Sequence, residues 1–314
     1  MSTASGERAA RRGRPAPRRQ RIGLHPLAHA FNAANYALLF LLAVATLYPF
    51  LNILSLSLTS ESVVSSGMAN LNLIPEKLSV SGYGKVLSSE YILAGFRNTL
   101  LRTVLGTVAT VTVTLFLAYP LSKRYFPHRT FWTMLIVFTM FFQGGLIPVY
   151  LLVRKLGLIN NILALILPDL VRTFSLIIVR NYLMTIPEDL EESARLDGAG
   201  DLKILFAIII PVSVPIIATL TLWTVVAHWN AWFDSLIYTT RTRLLVLQVV
   251  LRRIVLEGTQ QIVSTDIARD DRYATKPEVV RAASIVVTTL PIVMVYPFVQ
   301  KYFIKGIMIG SLKG

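Results

Sequence analysis

Long stretches without a charged residue constrain this chain more than any other feature. One runs from 31 to 60, and others cover 103–122, 130–153 and 282–300. A membrane-spanning helix needs about 20 consecutive, mostly apolar residues, because the hydrocarbon core of a bilayer is about 30 Å thick. The chain of 314 residues is 54% hydrophobic and only 15% charged, whereas soluble domains carry about 25% charged residues. The sequence therefore predicts an all-α, polytopic membrane protein.

Six membrane-spanning helices are predicted, and two of them contain interruptions. Pro49 should kink or end the first helix. The glycines and Pro148 in the segment 143–148 predict a broken or re-entrant outer end for the third. The polar segment 61–90, rich in serine and glycine, is predicted to be an extramembrane loop. The six predicted spans are 31–60, 103–122, 130–153, 156–183, 204–227 and 282–300.

The lysines and arginines of the short loops predict the orientation, because cytoplasmic loops carry an excess of these residues. A basic stretch between the fifth and sixth spans, 241–281, opposes this assignment, but it is long and also contains acidic residues. We therefore predict that both termini are cytoplasmic. The predicted domains are an Arg-rich tail at 1–30, a transmembrane domain at 31–305 with a cytoplasmic segment at 184–203, and a C-terminal tail at 306–314.

The net charge of +14 is concentrated in the N-terminal tail, which contains seven arginines before residue 22. A nucleic-acid-binding arm would interleave aromatic residues for base stacking, and this tail has none. A twin-arginine export signal is suggested by Arg11-Arg12 or Arg18-Arg19. However, the small-x-small triplet at 28–30 precedes the apolar run instead of following it, which argues against cleavage. We expect a disordered cytoplasmic tail that contacts membrane lipid and no nucleic acid.

Residues that commonly carry catalysis or bind metals are scarce. The chain has no cysteine, and its four histidines are scattered without a His-Glu-x-x-His spacing. Thiolate chemistry, disulfides and cysteine-ligated metals are therefore excluded. We predict no catalytic residue, metal or bound cofactor. A membrane-embedded enzyme remains an alternative, as does a self-contained secondary carrier, although a carrier typically shows internal repeats and none is evident.

The charged segment at 184–203 separates two apolar runs. Pro187 suits the first turn of a helix, and the acidic residues that follow it favour the positive end of the helix dipole. Small side chains at Ser193 and Ala194 permit close approach of another element, and Gly198 permits a sharp turn. Asp201 could cap a second helix. From these residues alone, a solvated acidic turn is the simpler interpretation.

The spacing within this segment favours a more specific interpretation. The pattern Glu-x-Ala-x-x-x-Gly, followed after nine residues by Ile-x-(Leu/Ile)-Pro, resembles the EAA loop of ABC importer permeases. Here Ser193 replaces the first alanine of the motif. The resemblance implies that the loop docks into an ATP-hydrolysing subunit and that Glu192 pairs with a basic residue of that subunit. The coupling residues it implies are Glu192, Ser193, Ala194, Asp197, Gly198, Ile208 and Pro211.

The resemblance covers about residues 30 to 314 and points to carbohydrate-uptake permeases of the maltose-type group. Among these the chain is most similar to the aldouronate, acidic-oligosaccharide branch. It implies a type I importer fold in the bacterial cytoplasmic (inner) membrane, with this chain forming half of the pathway. The implied partners are a second homologous permease, an ABC ATPase dimer that uses ATP and Mg, and an extracytoplasmic sugar-binding protein. The segments that support it are 48–50, 98–100, 144–148, 229–232 and 301–306.

Several polar residues are candidates for the translocation pathway. Asp169 and Arg172 lie inside the fourth apolar run, where a charge is costly and suggests function. An ion pair at i,i+3 spacing would explain them equally well. Trp229 and Trp232, with Asn230 and Asp234, could meet sugar rings, although an interfacial aromatic belt also accounts for the tryptophans. A lone His228 is expected to be a helix-end histidine.

Basic residues predict the charge of the cargo. Arg97 and Arg102 are expected at the outer end of the second helix, Arg172 within the fourth, and a basic loop follows the fifth. Hydrated arginines in a narrow vestibule would attract an anion. A uronic-acid-containing oligosaccharide is therefore predicted, with anchoring of helix ends at lipid headgroups as the alternative role of these arginines.

Overall fold

The computed structural model describes residues 26–64, 73–75, 77–256 and 277–311, with side chains for 28–60, 63–64, 73–75, 77–256 and 277–294. The predicted Arg-rich tail lies almost wholly outside these ranges. By its internal contacts the chain divides into two units, Met1–Phe50 and Leu51–Gly314. The site analysed below lies entirely in the second.

Every regular element in the described ranges is helical, as predicted, and only an isolated antiparallel bridge joins Thr59 to Leu78. Short 3₁₀ segments occupy Ile162–Leu165, Leu167–Asp169 and Thr242–Leu244, and a π-helix occupies Leu205–Ile209. The α-helices are α1 (Pro26–Ser57), α2 (Glu61–Val64), α3 (Ser81–Ser88), α4 (Glu90–Ser122), α5 (Arg129–Phe141), α6 (Leu146–Lys155), α7 (Thr173–Leu183), α8 (Asp189–Leu196), α9 (Asp201–Ile204), α10 (Ile210–Val212), α11 (Val214–Asn230), α12 (Phe233–Tyr238), α13 (Leu247–Leu256) and α14 (Pro277–Ser311).

Within the described ranges, three helices are long and apolar enough to cross a membrane, in α1, α4 and α14. Three further spans are bent pairs of helices. The pair α5 and α6 bends by 109°, the segment 162–169 meets α7 at 55°, and the segment 201–212 meets α11 at 83°. Counting each bent pair as one span gives six, which agrees with the prediction.

The second span differs from the prediction because α4 begins at Glu90, not near residue 103. Its 33 residues make it about 50 Å long. The segment 98–100, which the resemblance places at the start of the second helix, therefore lies inside α4. Arg97 and Arg102 suggested a helix end at this position. Arg102 is instead 2% exposed, and a carboxylate from another element compensates its charge.

The predicted interruption of the third span is confirmed. Gly145 has a φ of 84° and precedes α6, a left-handed conformation that favours glycine. Pro49, in contrast, lies inside α1, which continues to Ser57, so the prediction that it could end the helix is wrong. Membrane helices tolerate proline because other groups satisfy the freed carbonyl.

The fourth and fifth spans bend where their backbone departs from the α-helix. Asp169 ends a 3₁₀ segment and Arg172 is extended. The two residues were predicted to lie on one continuous helix, and they do not. In the fifth span the π-helix Leu205–Ile209 precedes Pro211. A proline lacks the N–H that an α-helix requires and disturbs the preceding turn. Gly200, not Asp201, is the N-cap residue of α9.

The last helix runs to Ser311, through the position where we predicted that a C-terminal tail begins at 306. Two buried apolar clusters lie on either side of the central part of α4. The first includes Val86, Ile92, Val153, Leu247, Val250 and Val280, and the second includes Leu115, Leu176, Leu183, Ile204, Leu205 and Leu220.

Between the clusters, α4 packs against α11 through buried threonines and Gly106. His228 lies in the last turn of α11, as predicted, but it is 1% exposed and fills the space above Gly106. A Cβ atom at Gly106 would lie 2.6 Å from His228 Nε2. This glycine therefore sets how closely the two helices approach.

We expect Gly106→Ala to destabilise the subunit, because over-packing a tight interface costs about 1–3 kcal/mol. The measurement is the melting temperature of the purified chain in detergent. Gly84→Ala is the matched control, since a Cβ there has no neighbour within 4 Å. Equal melting temperatures for the two variants would show that the helix contact at Gly106 is not tight.

Candidate functional site

The acidic segment predicted between the fourth and fifth spans forms α8. Three acids, Asp189, Glu191 and Glu192, lie in its first turn, where the helix dipole favours them. The helix ends at Leu196, and Gly198, two residues further on, has a φ of 78°. Gly198 N–H donates to Arg195 O at 2.9 Å, and Ala199 N–H donates to Ala194 O at 2.9 Å, a Schellman C-cap. The predicted sharp turn at Gly198 is confirmed.

One face of α8 binds the residues that follow α4. Glu191 forms an ion pair with Lys123, and Glu188 Oε1 lies 3.3 Å from Arg124 Nε in a second ion pair. Arg195 Nη2 lies 2.8 Å from Asp201 Oδ1. These three positions of α8 are spaced i, i+3 and i+7, so they share a face.

Tyr125 completes this contact. The guanidinium of Arg195 donates to the Tyr125 hydroxyl and lies 4.4 Å from the centre of its ring. Burial raises the pKa of Tyr125, although the hydrogen bond from Arg195 opposes the shift. The phenol is therefore neutral at physiological pH and accepts the hydrogen bond without carrying charge.

The ion pairs of α8 differ greatly in burial. The side chains of Lys123 and Glu191 are 11% and 8% exposed, whereas those of Arg124 and Glu188 are 83% and 62% exposed. The Lys123 ammonium also lies 4.7 Å from the centre of the Tyr119 ring. Neither Lys123 nor Glu191 is among the residues predicted from the sequence, although the i, i+3, i+7 spacing of charges at 188, 191 and 195 was a signal for Glu191.

The predicted coupling residues divide between two places. Glu192, Ser193, Asp197 and Gly198 are exposed on or beside α8, whereas Ala194 packs against the second buried cluster. Beyond α9, the π-helix contains Ile208, and Pro211 follows in α10. Leu196, which the sequence analysis also missed, is 89% exposed.

A wide cavity lies where the spans are broken. Its volume is about 1030 Å³. Four of the predicted pathway residues line it, namely Asp169, Arg172, Asn230 and Asp234. The other lining residues include Arg102, the amide of Gln143, and the aromatic rings of Phe142, Phe174, Trp232, Phe233 and Tyr238.

Trp229 is not among the residues that line this cavity. It is 5% exposed in the first buried cluster, where its Nε1 donates to Thr288 O at 3.3 Å. Trp232 takes its place at the cavity wall, with the Arg252 guanidinium 4.0 Å from its ring centre. Helix α11 ends at Asn230, and the next residue, Ala231, is extended. Trp229 and Trp232 therefore have different surroundings.

Two ion pairs of different character line the cavity. Arg102 makes two hydrogen bonds to the Asp234 carboxylate, with Nη1 3.1 Å from Oδ1, and a third to Ala231 O at 3.3 Å. Such a bidentate pair is strong and directional. Arg102 is therefore a paired internal arginine, not the hydrated helix-end arginine that we predicted.

The second pair is open to solvent. Arg172 donates to Asp169 through a single hydrogen bond of 3.1 Å, and the two side chains are 32% and 71% exposed. The predicted ion pair is thus present, and it lies on the cavity wall as well. A ligand carboxylate could replace Asp169 at Arg172 without breaking a buried contact.

The geometry of the cavity suits ligand binding and not catalysis. In the part of the chain that the structure describes, no group of three or more His, Cys, Asp or Glu side chains could hold a metal ion. The cavity instead offers aromatic faces, amides and one exchangeable arginine, which can orient a large polar ligand with apolar faces.

We predict that Asp234→Asn destabilises the chain by about 3–5 kcal/mol, because it leaves Arg102 buried without its counter-charge. Asp169→Asn is the matched control, since removing an exposed pair costs about 0–1 kcal/mol. Thermal unfolding of the two purified variants measures the difference. Similar melting temperatures would contradict the assignment of Arg102–Asp234 as the structural pair.

Comparison with known proteins places the chain among transport proteins. A family model described as the inner membrane component of binding-protein-dependent transport systems matches residues 91–309. The polygalacturonan/rhamnogalacturonan transport system permease protein YtcP of Bacillus subtilis (strain 168) is 37% identical over 286 residues, covering 90% of this chain and 98% of that protein. Protein LplC of the same organism is 36% identical over 285 residues, covering 90% and 95%.

A solved structure agrees with these relatives. It is the crystal structure of a bacterial ABC transporter involved in the import of the acidic polysaccharide alginate. One of its chains matches with a TM-score of 0.83 and 33% sequence identity, over 89% of this chain and 98% of that chain. The fold is therefore that of a type I ABC importer permease.

Proposed function

Because the chain belongs to the family of inner membrane components of binding-protein-dependent transport systems, it is a non-catalytic permease subunit, and we propose that its cargo is an acidic oligosaccharide. Family membership implies a substrate-binding protein and an ATPase as partners. The cavity carries the proposal about cargo. Its volume of about 1030 Å³ reaches the upper end of the range of about 300–1,000 Å³ that small-molecule sites occupy.

The wall of the cavity fits a sugar chain. The apolar C–H face of a sugar ring packs on an aromatic face, and Trp232 and Phe233 supply such faces. The amides of Gln143 and Asn230 can pair with hydroxyl groups, because each amide both donates and accepts. This combination of an apolar wall with a few polar groups orients a ligand.

Arg172 supports an acidic cargo. Its single exposed bond to Asp169 can be exchanged for a uronate carboxylate, with which a guanidinium forms a two-bond contact. Arg102 does not contribute, because Asp234 already neutralises it. Relatives that handle polygalacturonan and alginate support the same conclusion.

Coupling to ATP is assigned to α8. Its exposed face presents Glu192, Leu196 and Asp197, and Gly198 provides the turn that returns the chain to the membrane. Ile208 and Pro211 form the bent junction with the fifth span. We propose that this face docks on the ATPase, which binds ATP and Mg, so that this chain itself needs no cofactor.

The assembly follows from the number of spans. Six spans form half of a translocation pathway in this family's architecture, so a second, homologous permease is proposed to supply the other half. Placing α8 in the cytoplasm, where ATP is, puts both termini on the cytoplasmic side of the inner membrane.

We expect Arg172→Gln to lower uptake of an oligouronide on the order of tenfold, because hydrogen bonds to charged groups contribute about 1.5–3 kcal/mol. Uptake of the carboxyl-reduced, neutral counterpart should be unchanged. The measurement is competition between the two sugars, delivered by the cognate binding protein. Arg97→Gln is the control, since Arg97 is exposed and does not line the cavity. Equal or better uptake of the neutral sugar, unaffected by Arg172→Gln, would refute the acidic cargo.

We expect Glu192→Ala and Gly198→Pro to leave the chain inserted but to lose the ATPase. The φ of 78° at Gly198 is closed to proline, whose φ is fixed near −65°. Copurification of the ATPase and transport-coupled ATP hydrolysis are measured. Glu188→Gln is the control, because the partner of Glu188 is Arg124 of this chain. Wild-type transport by both variants would show that α8 is not the coupling element.

A further inference from the structure

The ion pair between Lys123 and Glu191 joins two elements that are far apart in the sequence. Lys123 is the residue directly after α4, and its backbone N–H donates to Pro120 O at 3.0 Å. A cation at this point is also favoured by the negative end of the helix dipole. Glu191 lies in the first turn of α8. The pair therefore connects the end of a long membrane span to the proposed coupling helix.

We propose that Lys123–Glu191 is the positioning contact through which α8 moves α4, an inference that rests on the docking of α8 to the ATPase proposed above. The apolar packing of Ala194 against the second buried cluster, to which Leu121 of α4 belongs, also holds α8 near α4. Hydrophobic contact is non-directional, however, and permits sliding. A buried ion pair fixes one position of α8 along α4.

Burial singles out this pair among the contacts of α8. Both of its side chains are largely withdrawn from water, so neither charge can leave its partner without an uncompensated cost. The Arg124–Glu188 pair is exposed and is screened by water and salt. Arg195 binds Asp201 of the same cytoplasmic segment and also donates to Tyr125 after α4, but Arg195 and Tyr125 are both exposed.

Helix α4 can carry the displacement to the cavity. It is continuous from Glu90 to Ser122, whereas three other spans bend by 109°, 55° and 83°. Arg102 lies on the same helix, about 30 Å from Lys123 at 1.5 Å per residue, and holds Asp234 at the cavity wall. A shift of α8 at Glu191 is thereby transmitted along one rod to the wall that faces the cargo.

The test measures movement of α4 in the complete importer, with the second permease, the ATPase and the binding protein present. The chain contains no cysteine, so spin labels can be attached to single introduced cysteines at Val104 of α4 and Leu152 of α6, both exposed. Double electron–electron resonance gives the distance between the labels without nucleotide and after trapping with ATP and vanadate. This measurement does not depend on which sugar is carried.

We expect Lys123→Met and Glu191→Gln to abolish the nucleotide-dependent change of distance while the ATPase still copurifies. Exchange of the charges, Lys123→Glu with Glu191→Lys, should restore the change. The same exchange at the exposed pair, Arg124→Glu with Glu188→Arg, is the control and should leave the wild-type change intact.

Two outcomes would overturn the inference. The first is an unchanged distance shift in the single variants, or a shift that the exchanged pair fails to restore. The second is loss of the ATPase from the single variants, which would mean that the pair only maintains the docking surface. Failure of the docking proposal itself has a different signature, because Glu192→Ala would then retain the ATPase.

Discussion

Two cations are withdrawn from water, one inside α4 and one directly after it. The positions of the segments that supply their counter-charges follow from this burial. Arg102 takes its carboxylate from Asp234 beside the cavity, and Lys123 takes its carboxylate from Glu191 in α8. A buried charge is tolerated only when it is paired and hydrogen-bonded. The segment after α11 must therefore return to α4 at one level of the helix, and the acidic helix must return to it at another. The cavity and the coupling segment are built on these two contacts.

Unlike α4, not all of the remaining spans are continuous. Gly145, the extended residue Arg172 and the bend after Val212 interrupt three of them. Irregular backbone at membrane depth is tolerated where it lines a cavity or is buried in protein, and two of these breaks do contribute lining residues. A continuous helix beside broken ones separates two tasks, since the breaks shape the ligand space and the continuous helix transmits displacement.

Much of the architecture was predictable from local patterns. The number of spans follows from the uncharged runs, the break near Gly145 from its glycines, and the family from the spacing of Glu192, Ala194 and Gly198; each of these predictions was confirmed. The predicted start of the second span was wrong, and the burial of Trp229 away from the cavity was not foreseen. Both follow from judging a polar or aromatic residue by its neighbours in sequence, whereas Asp234 neutralises Arg102 and Thr288 O accepts from Trp229, each from more than fifty residues away.

The sequence by itself determined that the chain is a helical membrane protein with a charged segment exposed between two spans, because hydropathy and the helical requirement of the bilayer act over some twenty neighbouring residues. Only the tertiary structure decided which charges face the cargo and which face each other. Asp169 and Asp234 look alike in sequence, yet one forms an exposed and exchangeable pair and the other closes on a buried guanidinium. Likewise Glu191 turns inward to Lys123 while Glu192 remains in solvent. The energy of a charge depends on its burial and on the partner within reach, and both are properties of the packed helices.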